Sequence, residues 1–508
     1  MKKVAEFLRA HRLLLGILAA ILMAAAVGLY ELDAHISPIL KAHAIDALSE
    51  RFDSEVQIEY LHASLFRVRI DGGGIAIRHH GRTDVPPLIE IKKFYADASI
   101  LDILRKRWSI NKVRLDGLAI NIPPKELRQP STGGKKHPDI PVHIDELLSV
   151  ETQLTLLPGK PGKLPHVYGI HRLVMRGLGK GEAAEFHTTL RNAVPPGDIK
   201  ADGTFGPWDR EDPGSTPVSA DYIFNDANLG VFRGLAGILS SKGKFGGPLN
   251  ELAVEGQTVT PDFTVKVGGH PMKLTTEFQA TVDGTNGETF LHPVTAHFLN
   301  STIVANGGVV KGPPGMGREV KLQVTAKQAH LEDLMKFAVK ADPPPMTGLI
   351  DLDTQFDLPP GPDDIAQRLA LDGKFTVQQG HFTKTSIQEK LRTLSARGQG
   401  KADEVEGGSD VTQLAGRFSL GRGLLAFREL TFRVEGVRVQ LHGTFSLTNE
   451  AIEMHGHAYM NAKLSQMTKG YKSWLLKPVD PFFRKNGVTV IPIKITGTRD
   501  KPDFGLDL

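Results

Sequence analysis

The chain of 508 residues contains no cysteine. That excludes a disulfide framework, a thiolate zinc site, a cysteine nucleophile and a lipidated N-terminal cysteine. A thiol-free chain also suits an oxidising compartment. A surplus of one charge sign is missing too, since 61 Lys and Arg stand against 57 Asp and Glu, a formal net charge of +4. Nucleic-acid binders concentrate basic residues on one face, so no nucleic-acid partner is expected. Catalytic signatures are also lacking: there is no HExxH, G-x-S-x-G elbow, P-loop or EF-hand string. Gly177, Gly179 and Gly181 lie close together but lack the strand–GxGxxG–helix order of a dinucleotide site. Asp363-Asp364 and Asp403-Glu404 read as solvated turns, and His455/His457 as a solvated strand pair rather than the start of a metal site. The expectation is a non-enzyme without a cofactor.

Long apolar runs are scarce, and only one is long enough to matter. Leu13 to Tyr30 is 18 residues without a charge, within the range near 17–25 that spans a bilayer. Lys2, Lys3, Arg9 and Arg12 precede it; Glu31 and Asp33 follow. The positive-inside rule then keeps residues 1–12 cytoplasmic, makes 13–30 a transmembrane anchor and exports the rest. A cleaved signal peptide, with Ala24 and Ala26 at the cleavage site, is the alternative. The run continues past those alanines, which favours the anchor. No second run of this length exists, which argues against a polytopic transporter.

What the body does contain is alternation. After a helix opening at Ser37-Pro38, with Ile45, Leu48 and Phe52 at helical spacing, the period changes to two. Val68 and Ile70, Ile75 and Ile77, Val113 and Leu115, then Ile120 and Ile122 are each separated by one residue. Val320, Leu322 and Val324 alternate with Glu319, Lys321, Gln323 and Thr325; Ile350, Leu352 and Phe356, and Val437, Val439 and Leu441, behave alike. Such strands have one apolar and one wet face. Parity shifts at Gly117 and Gly436 predict bulges. Helices are expected at 330–340, from a Ser386/Glu389 capping box to a stop at Gly398, and over 461–477. Seven of the 24 phenylalanines follow a glycine by two positions, as in Gly243-Lys244-Phe245 and Gly443-Thr444-Phe445, well above chance.

One-sided strands must hide their apolar face by closing, pairing or curling. Short linkers and no compositional boundary favour a mainly β chain: an N-terminal transmembrane helix, then an elongated, curled antiparallel β-sheet forming a groove, with a few short helices. An exposed apolar lining calls for an amphiphilic occupant. For an exported, membrane-tethered protein that is a phospholipid acyl chain, each buried CH₂ gaining about 0.8 kcal/mol. The expected lining is Val113, Leu115, Ile120, Ile122, Val320, Leu322, Val324, Val437, Val439, Leu441, Phe445 and Leu447; a closed, dry β core would use the same residues. Between 461 and 486, Tyr471, Trp474, Phe482 and Phe483 are interleaved with Lys472, Lys477, Arg484 and Lys485. This segment reads either as a membrane-surface element or as a cap on the groove. Pro492, among Val490, Ile491, Ile493 and Ile495, suggests that the last strand is a sheet edge. An exposed edge would permit the alternative function, strand addition to outer-membrane or periplasmic client proteins.

The chain resembles the AsmA-like family, relatives of AsmA and TamB in Gram-negative bacteria. The resemblance rests on LHASLFRVRIDGGGIAIR and SINKVRLDGLAINIPP near the N-terminus, on Phe205-Gly206-Pro207-Trp208-Asp209, on Pro261-Asp262-Phe263, on Val282-Asp283-Gly284-Thr285-Asn286-Gly287, and on the closing ITGTRDKPDFGLDL. It is strongest from about residue 200. Residues then divide into 31–125, a membrane-proximal helix plus β module; 126–200, a loop-rich β segment; and 201–508, an AsmA-like C-terminal β-groove. The resemblance implies a single-pass inner-membrane protein with its bulk in the periplasm, engaged in phospholipid transfer towards the outer membrane or in outer-membrane homeostasis. It supplies no catalytic residues.

Overall fold

A computed structural model describes residues 55–64, 69–78, 86–98, 109–122, 143–156, 166–179, 181–207, 213–284, 287–311, 318–401, 411–467, 477–499 and 501–507, together with Met23 and positions of a helix between 37 and 49. The chain is mainly β with few short helices, in two units: residues 1–193 with 198–220, and 194–197 with 221–508. No helix among the described residues is long and apolar enough to cross a membrane. Apart from Met23, the run 13–30 lies outside the described residues.

The first unit contains β1 (Glu55–Ser64), β2 (Arg69–Arg78), β3 (Ile89–Ala98), β4 (Ser109–Ile122), β5 (His143–Leu156), β6 (His166–Leu178), β7 (Ala184–Asn192) and β8 (Gly197–Phe205). Pairing from β1 to β7 follows chain order and is antiparallel except between β4 and β5, which run parallel. That step departs from the all-antiparallel expectation. Residues 123–142 join the two strands, and a parallel return needs a connection of a dozen residues or more. The parity change at Gly117 involves no slip of register between β3 and β4, since Lys93 pairs with Asp116 and Ile91 with Leu118. Gly74, Gly117 and Glu151 have φ of 61°, 69° and 52°, so the face inverts through left-handed residues rather than through a bulge. Ala44, Ile45 and Leu48 of the 37–49 helix pack on Val56, Ile58, Ile75 and Ile77.

The second unit takes the latter part of β9 (Pro217–Asn228), then β10 (Leu235–Ala236), β11 (Ile238–Pro248), β12 (Leu252–Val265), β13 (Met272–Val282), β14 (Thr289–Phe298), β15 (Ser301–Lys311), β16 (Arg318–His330), β17 (Met346–Leu358), β18 (Ala370–Phe382), β19 (Val411–Gly421), β20 (Leu424–Val434), β21 (Val437–Ser446), β22 (Ala451–Met460), β23 (Arg484–Lys485), β24 (Val488–Thr498) and β25 (Pro502–Leu506). The long strands form one antiparallel ladder in chain order, β24 following β22. Among the described residues, four short helices interrupt it: α1 (Leu331–Met335), α2 (Ile365–Arg368), α3 (Thr385–Gly398) and α4 (Asp480–Phe483). The β17–β18 loop returns to the segment between β9 and β10. Arg233 Nη1 donates to Pro362 O (2.7 Å), and Ile365 N donates to Arg233 O (3.1 Å). Strands far apart in the ladder are thus tied together, so the sheet of this unit curls.

Several local expectations change. Gly436, with φ 77°, sits in the two-residue Glu435-Gly436 turn that pairs Val434 with Val437; it is not a bulge. The Ser386/Glu389 capping box does not form: α3 starts at Thr385, with Lys384 at its N-cap and no side-chain cap bond. The chain leaving β18 is held instead by Thr383, whose N–H and hydroxyl donate to Pro345 O and Pro344 O. Gly398 is the last residue of α3, where a Cβ would lie 2.2 Å from Val437 Cγ2. Close packing on the β20–β21 turn therefore explains it. The expected 461–477 helix is represented by a 3₁₀ turn at Leu464–Met467, and residues 468–476 lie outside the described residues. Pro492 lies in the penultimate strand, and β25 is the edge. Pro492 O accepts from Asp507 N (3.2 Å) on the side away from β22, so the missing N–H removes no bond to β22.

Candidate functional site: an apolar sheet face

Register turns the alternation into rows. Across the second unit, Phe245 pairs with Val254, Val254 with Ala280, Ala280 with Leu291, Leu291 with Gly307, Gly307 with Leu322 and Leu322 with Phe356. The row continues through Leu371, Leu420, Leu425, Phe445 and Ile452. Twelve strands contribute and no side chain in the row is polar. At about 4.8 Å per strand step it follows roughly 50 Å of sheet. The next row on the same face runs Val294, Ala305, Val324, Thr354, Gly373, Phe418, Phe427, Gly443, Met454 and Ile495. Its single hydroxyl, on Thr354, donates to Asp372 O (3.2 Å). A third row runs Ala296, Ile303, Ala326, Leu352, Phe375, Gly416, Leu430, Leu441, Gly456 and Ile493. At β11–β13 this row becomes Ser241, Thr258 and Thr276. There Tyr222 bonds Ser241 (3.1 Å) and Thr258 bonds Thr276 (2.6 Å), which satisfies the hydroxyls locally.

Four of the seven Gly-x-Phe pairs belong to this face. Glycine and phenylalanine two apart point to the same side of a strand, as Gly243 and Phe245, Gly373 and Phe375, Gly416 and Phe418, and Gly443 and Phe445 do. Glycine is needed for close approach: a Cβ on Gly443, whose φ is 150°, would lie 2.0 Å from Glu453 O. Aromatic rings cover the neighbouring gaps. Phe375 Cε1 is 3.1 Å from a Cβ placed on Gly416, and the Phe375 ring lies 6.0 Å from Phe418 and 6.3 Å from Phe427. An aromatic across from a strand glycine restores the area the glycine leaves empty.

The face is covered at one end of the strands and less so at the other. Ala326, Ala329, Leu331, Met346, Ile350, Val377, Leu391, Val411, Val434 and Met467 form a buried cluster joining β16–β22 to α1, α3 and the 464–467 turn. Phe337, beyond α1, packs its ring 4.9 Å from Phe298 and 6.2 Å from Phe263. Buried Asp333 accepts from Asn300 N (3.0 Å) and Ser301 Oγ (2.8 Å), fixing this cover to the β14–β15 turn. Toward the opposite strand ends Val254, Leu291, Leu322, Phe356, Leu371, Leu425, Phe445 and Ile452 are only half-buried. At the last strand Phe504 and Leu506 are 47% and 53% exposed.

The expected lining residues therefore fall into different environments. Val320, Leu322 and Val324 lie on the half-buried part of the face, as do Phe445 and, beyond the end of β21, Leu447. Val437, Val439 and Leu441 are 5%, 0% and 5% exposed and belong to the packed cluster. Val113, Leu115 and Ile120 are half-buried in the first unit, and the side chain of Ile122 lies outside the described residues. In that unit Val113 pairs with Ala96, Leu115 with Phe94 and Ile120 with Ile89. In the other candidate segment Tyr471, Lys472 and Trp474 lie outside the described residues. Phe482 is 84% exposed, Phe483 half-buried and Arg484 exposed. Leu371, Leu425 and Ile452 are contributors that alternation alone did not single out, and Phe356, though read as alternating, was not among the expected lining; their place depends on cross-strand register.

The opposite face is charged and paired. Lys244 meets Glu255 (2.9 Å), whose hydrogen bond and charge hold the ammonium above its usual range. A polar hollow of about 320 Å³ between β16 and β20 is lined by ion pairs, Arg428 with Asp372 (3.3 Å) and Lys374 with Asp353 (3.5 Å). His455 bonds Asp507 (2.9 Å), while His457 stands beside Tyr459. No group of three metal-ligating side chains occurs among the described residues. No family model, curated protein or solved structure matches the chain.

Proposed function

We propose that the apolar face of the second unit binds lipid acyl chains, and that the protein is an AsmA-like envelope component that passes phospholipid from the inner towards the outer membrane. The observation that carries this reading is the twelve-strand row from Phe245 to Ile452, which lacks a polar side chain and is half-buried at every position but Ala280 and Leu420. A peptide on such a row would bring N–H and C=O groups to a surface with no side chain to bond them, at a cost of kilocalories per group. A hydrocarbon chain needs no such partner and gains about 0.8 kcal/mol for each methylene removed from water. The charged outer face stays wet, and the anchor expected at 13–30 would hold the groove beside its lipid source. Native mass spectrometry of the full chain released from mild detergent tests the reading. Phospholipid mass adducts that persist are expected; a lipid-free protein that also fails to take up phospholipid from vesicles would refute it.

A second reading, strand addition at the sheet edge, is favoured by β25. This strand is five residues long, pairs with β24 on one side and exposes Phe504 and Leu506. Photocrosslinking from Asp503 would then capture outer-membrane barrel proteins. Crosslinks to lipid alone would exclude it.

A further inference from the structure

The structure points to a second lipid contact, distinct from the groove. We propose that the protrusion formed by α4 and the β23–β24 hairpin docks on the surface of an anionic bilayer. Its centre is Phe482, the most exposed large apolar residue among those described, at 84%. The exposure is built in. Asp480, at the start of α4, accepts from Ser465 N (2.8 Å) and Ser465 Oγ (2.7 Å), which ties the helix to the 464–467 turn. Thr489, 1% exposed, donates to Ala462 O (2.7 Å) and fixes the following strand. Between these two ties the chain holds Phe482 outward. The pairs Arg484–Thr489 and Lys485–Val488 close the hairpin over Asn486 and Gly487.

The charge around Phe482 selects the partner. Lys477, Arg484 and Lys485 are exposed, whereas the carboxylate of α4 itself, Asp480, is engaged with Ser465. A rigid aromatic ringed by cations matches the boundary of a bilayer, where a ring enters the headgroup region and cations meet lipid phosphates. A protein partner would need a matching acidic pocket; an anionic lipid surface supplies both chemistries at once. The contact does not depend on what occupies the apolar rows.

The absence of cysteine gives a clean probe. With Pro481→Cys carrying an environment-sensitive fluorophore, and the full chain held in a zwitterionic nanodisc, addition of vesicles containing about 30% anionic lipid should shift the emission to the blue. Purely zwitterionic vesicles should give a much smaller shift, and high salt should reverse it. Arg484→Glu or Lys485→Glu should each weaken the anionic response by about fivefold or more. Phe482→Ser should weaken it by about tenfold, while melting temperature is retained. A label at Lys244→Cys, on the charged outer face, should stay silent. No shift at the protrusion, equal shifts at both labels, or indifference to Arg484→Glu would overturn the proposal. Repeating the assay with Leu322→Asp separates the two readings: docking should persist even where groove-bound lipid is lost.

Discussion

Replacing Leu322 by aspartate should empty the groove locally and leave the fold standing. Leu322 lies between Gly307 and Phe356 in its row, is half-buried and lies outside the cluster packed beneath α3. A chain crossing it touches about four methylenes there. At about 0.8 kcal/mol each, losing them costs about 3 kcal/mol, or roughly a hundredfold in occupancy. Dehydrating the new carboxylate adds to that loss. The folding cost should be smaller, about 1–2 kcal/mol, because water reaches the position. Val439 gives the contrast. It is fully buried, so Val439→Ala should lose about 2 kcal/mol of stability through the cavity it leaves and retain lipid. Val439→Asp would bury an unpaired charge and is expected not to fold. Adduct number by native mass spectrometry, read beside melting temperature, separates the effects. If Leu322→Asp keeps its lipid, or if both variants lose lipid in proportion to stability, the face is a dry core and the argument fails.

Three further outcomes follow from the geometry. Gly443→Ala, at φ 150° and 2.0 Å from Glu453 O, should destabilise by about 2–4 kcal/mol, whereas Gly421→Ala, with nothing within 4 Å, should stay within about 0.5 kcal/mol in denaturant melts. Glu146 is held below its ordinary value near 4.5 by its hydrogen bond from Lys112 (2.8 Å), against the opposing effect of burial. A lowered folded-state pKa contributes stability above the unfolded value and loses it as pH falls through the folded one. Amide exchange at β4–β5 should therefore quicken below about pH 4, and Glu146→Gln should flatten that dependence. Arg233→Ala removes the bond to Pro362 O and should raise exchange in residues 359–369 while global melting is little changed; unchanged exchange would mean that the β17–β18 loop is not held there.

Alternation made the strands legible, since Val320, Leu322 and Val324 or Val437, Val439 and Leu441 each place one face inward at period two. It could not say which of these triplets is covered. That depends on where α3 lies, and α3 is fixed by long-range contacts such as Ser395 Oγ to Glu435 O (2.9 Å). Nor could it give direction. The parallel β4–β5 step reverses a direction that period-two alternation does not encode, and the face inversions at Gly74 and Glu151 come from left-handed residues that imitate bulges. Ser386 has the chemistry of a cap, but the chain enters α3 a residue earlier under the hold of Thr383.

The Gly-x-Phe repeat was visible as a frequency, and its meaning is geometric. A glycine on the inner face lets the next strand's backbone come nearer than any Cβ would allow, and the phenylalanine two residues on restores apolar area on the same face. Repeated on β11, β18, β19 and β21, the pair keeps this side of the sheet hydrocarbon. A fully packed core would demand cover over both ends of these strands. Among the described residues α1, α3 and the 464–467 turn cover one end only, with Lys390 of α3 placed 4.4 Å from the ring of Phe504 on the last strand. The row from Phe245 to Ile452 is left half-covered except at Ala280 and Leu420, which are buried. Uncovered apolar area on that scale costs stability in water unless something apolar lies upon it, and that cost is the physical reason for proposing a ligand for the row rather than a purely structural role.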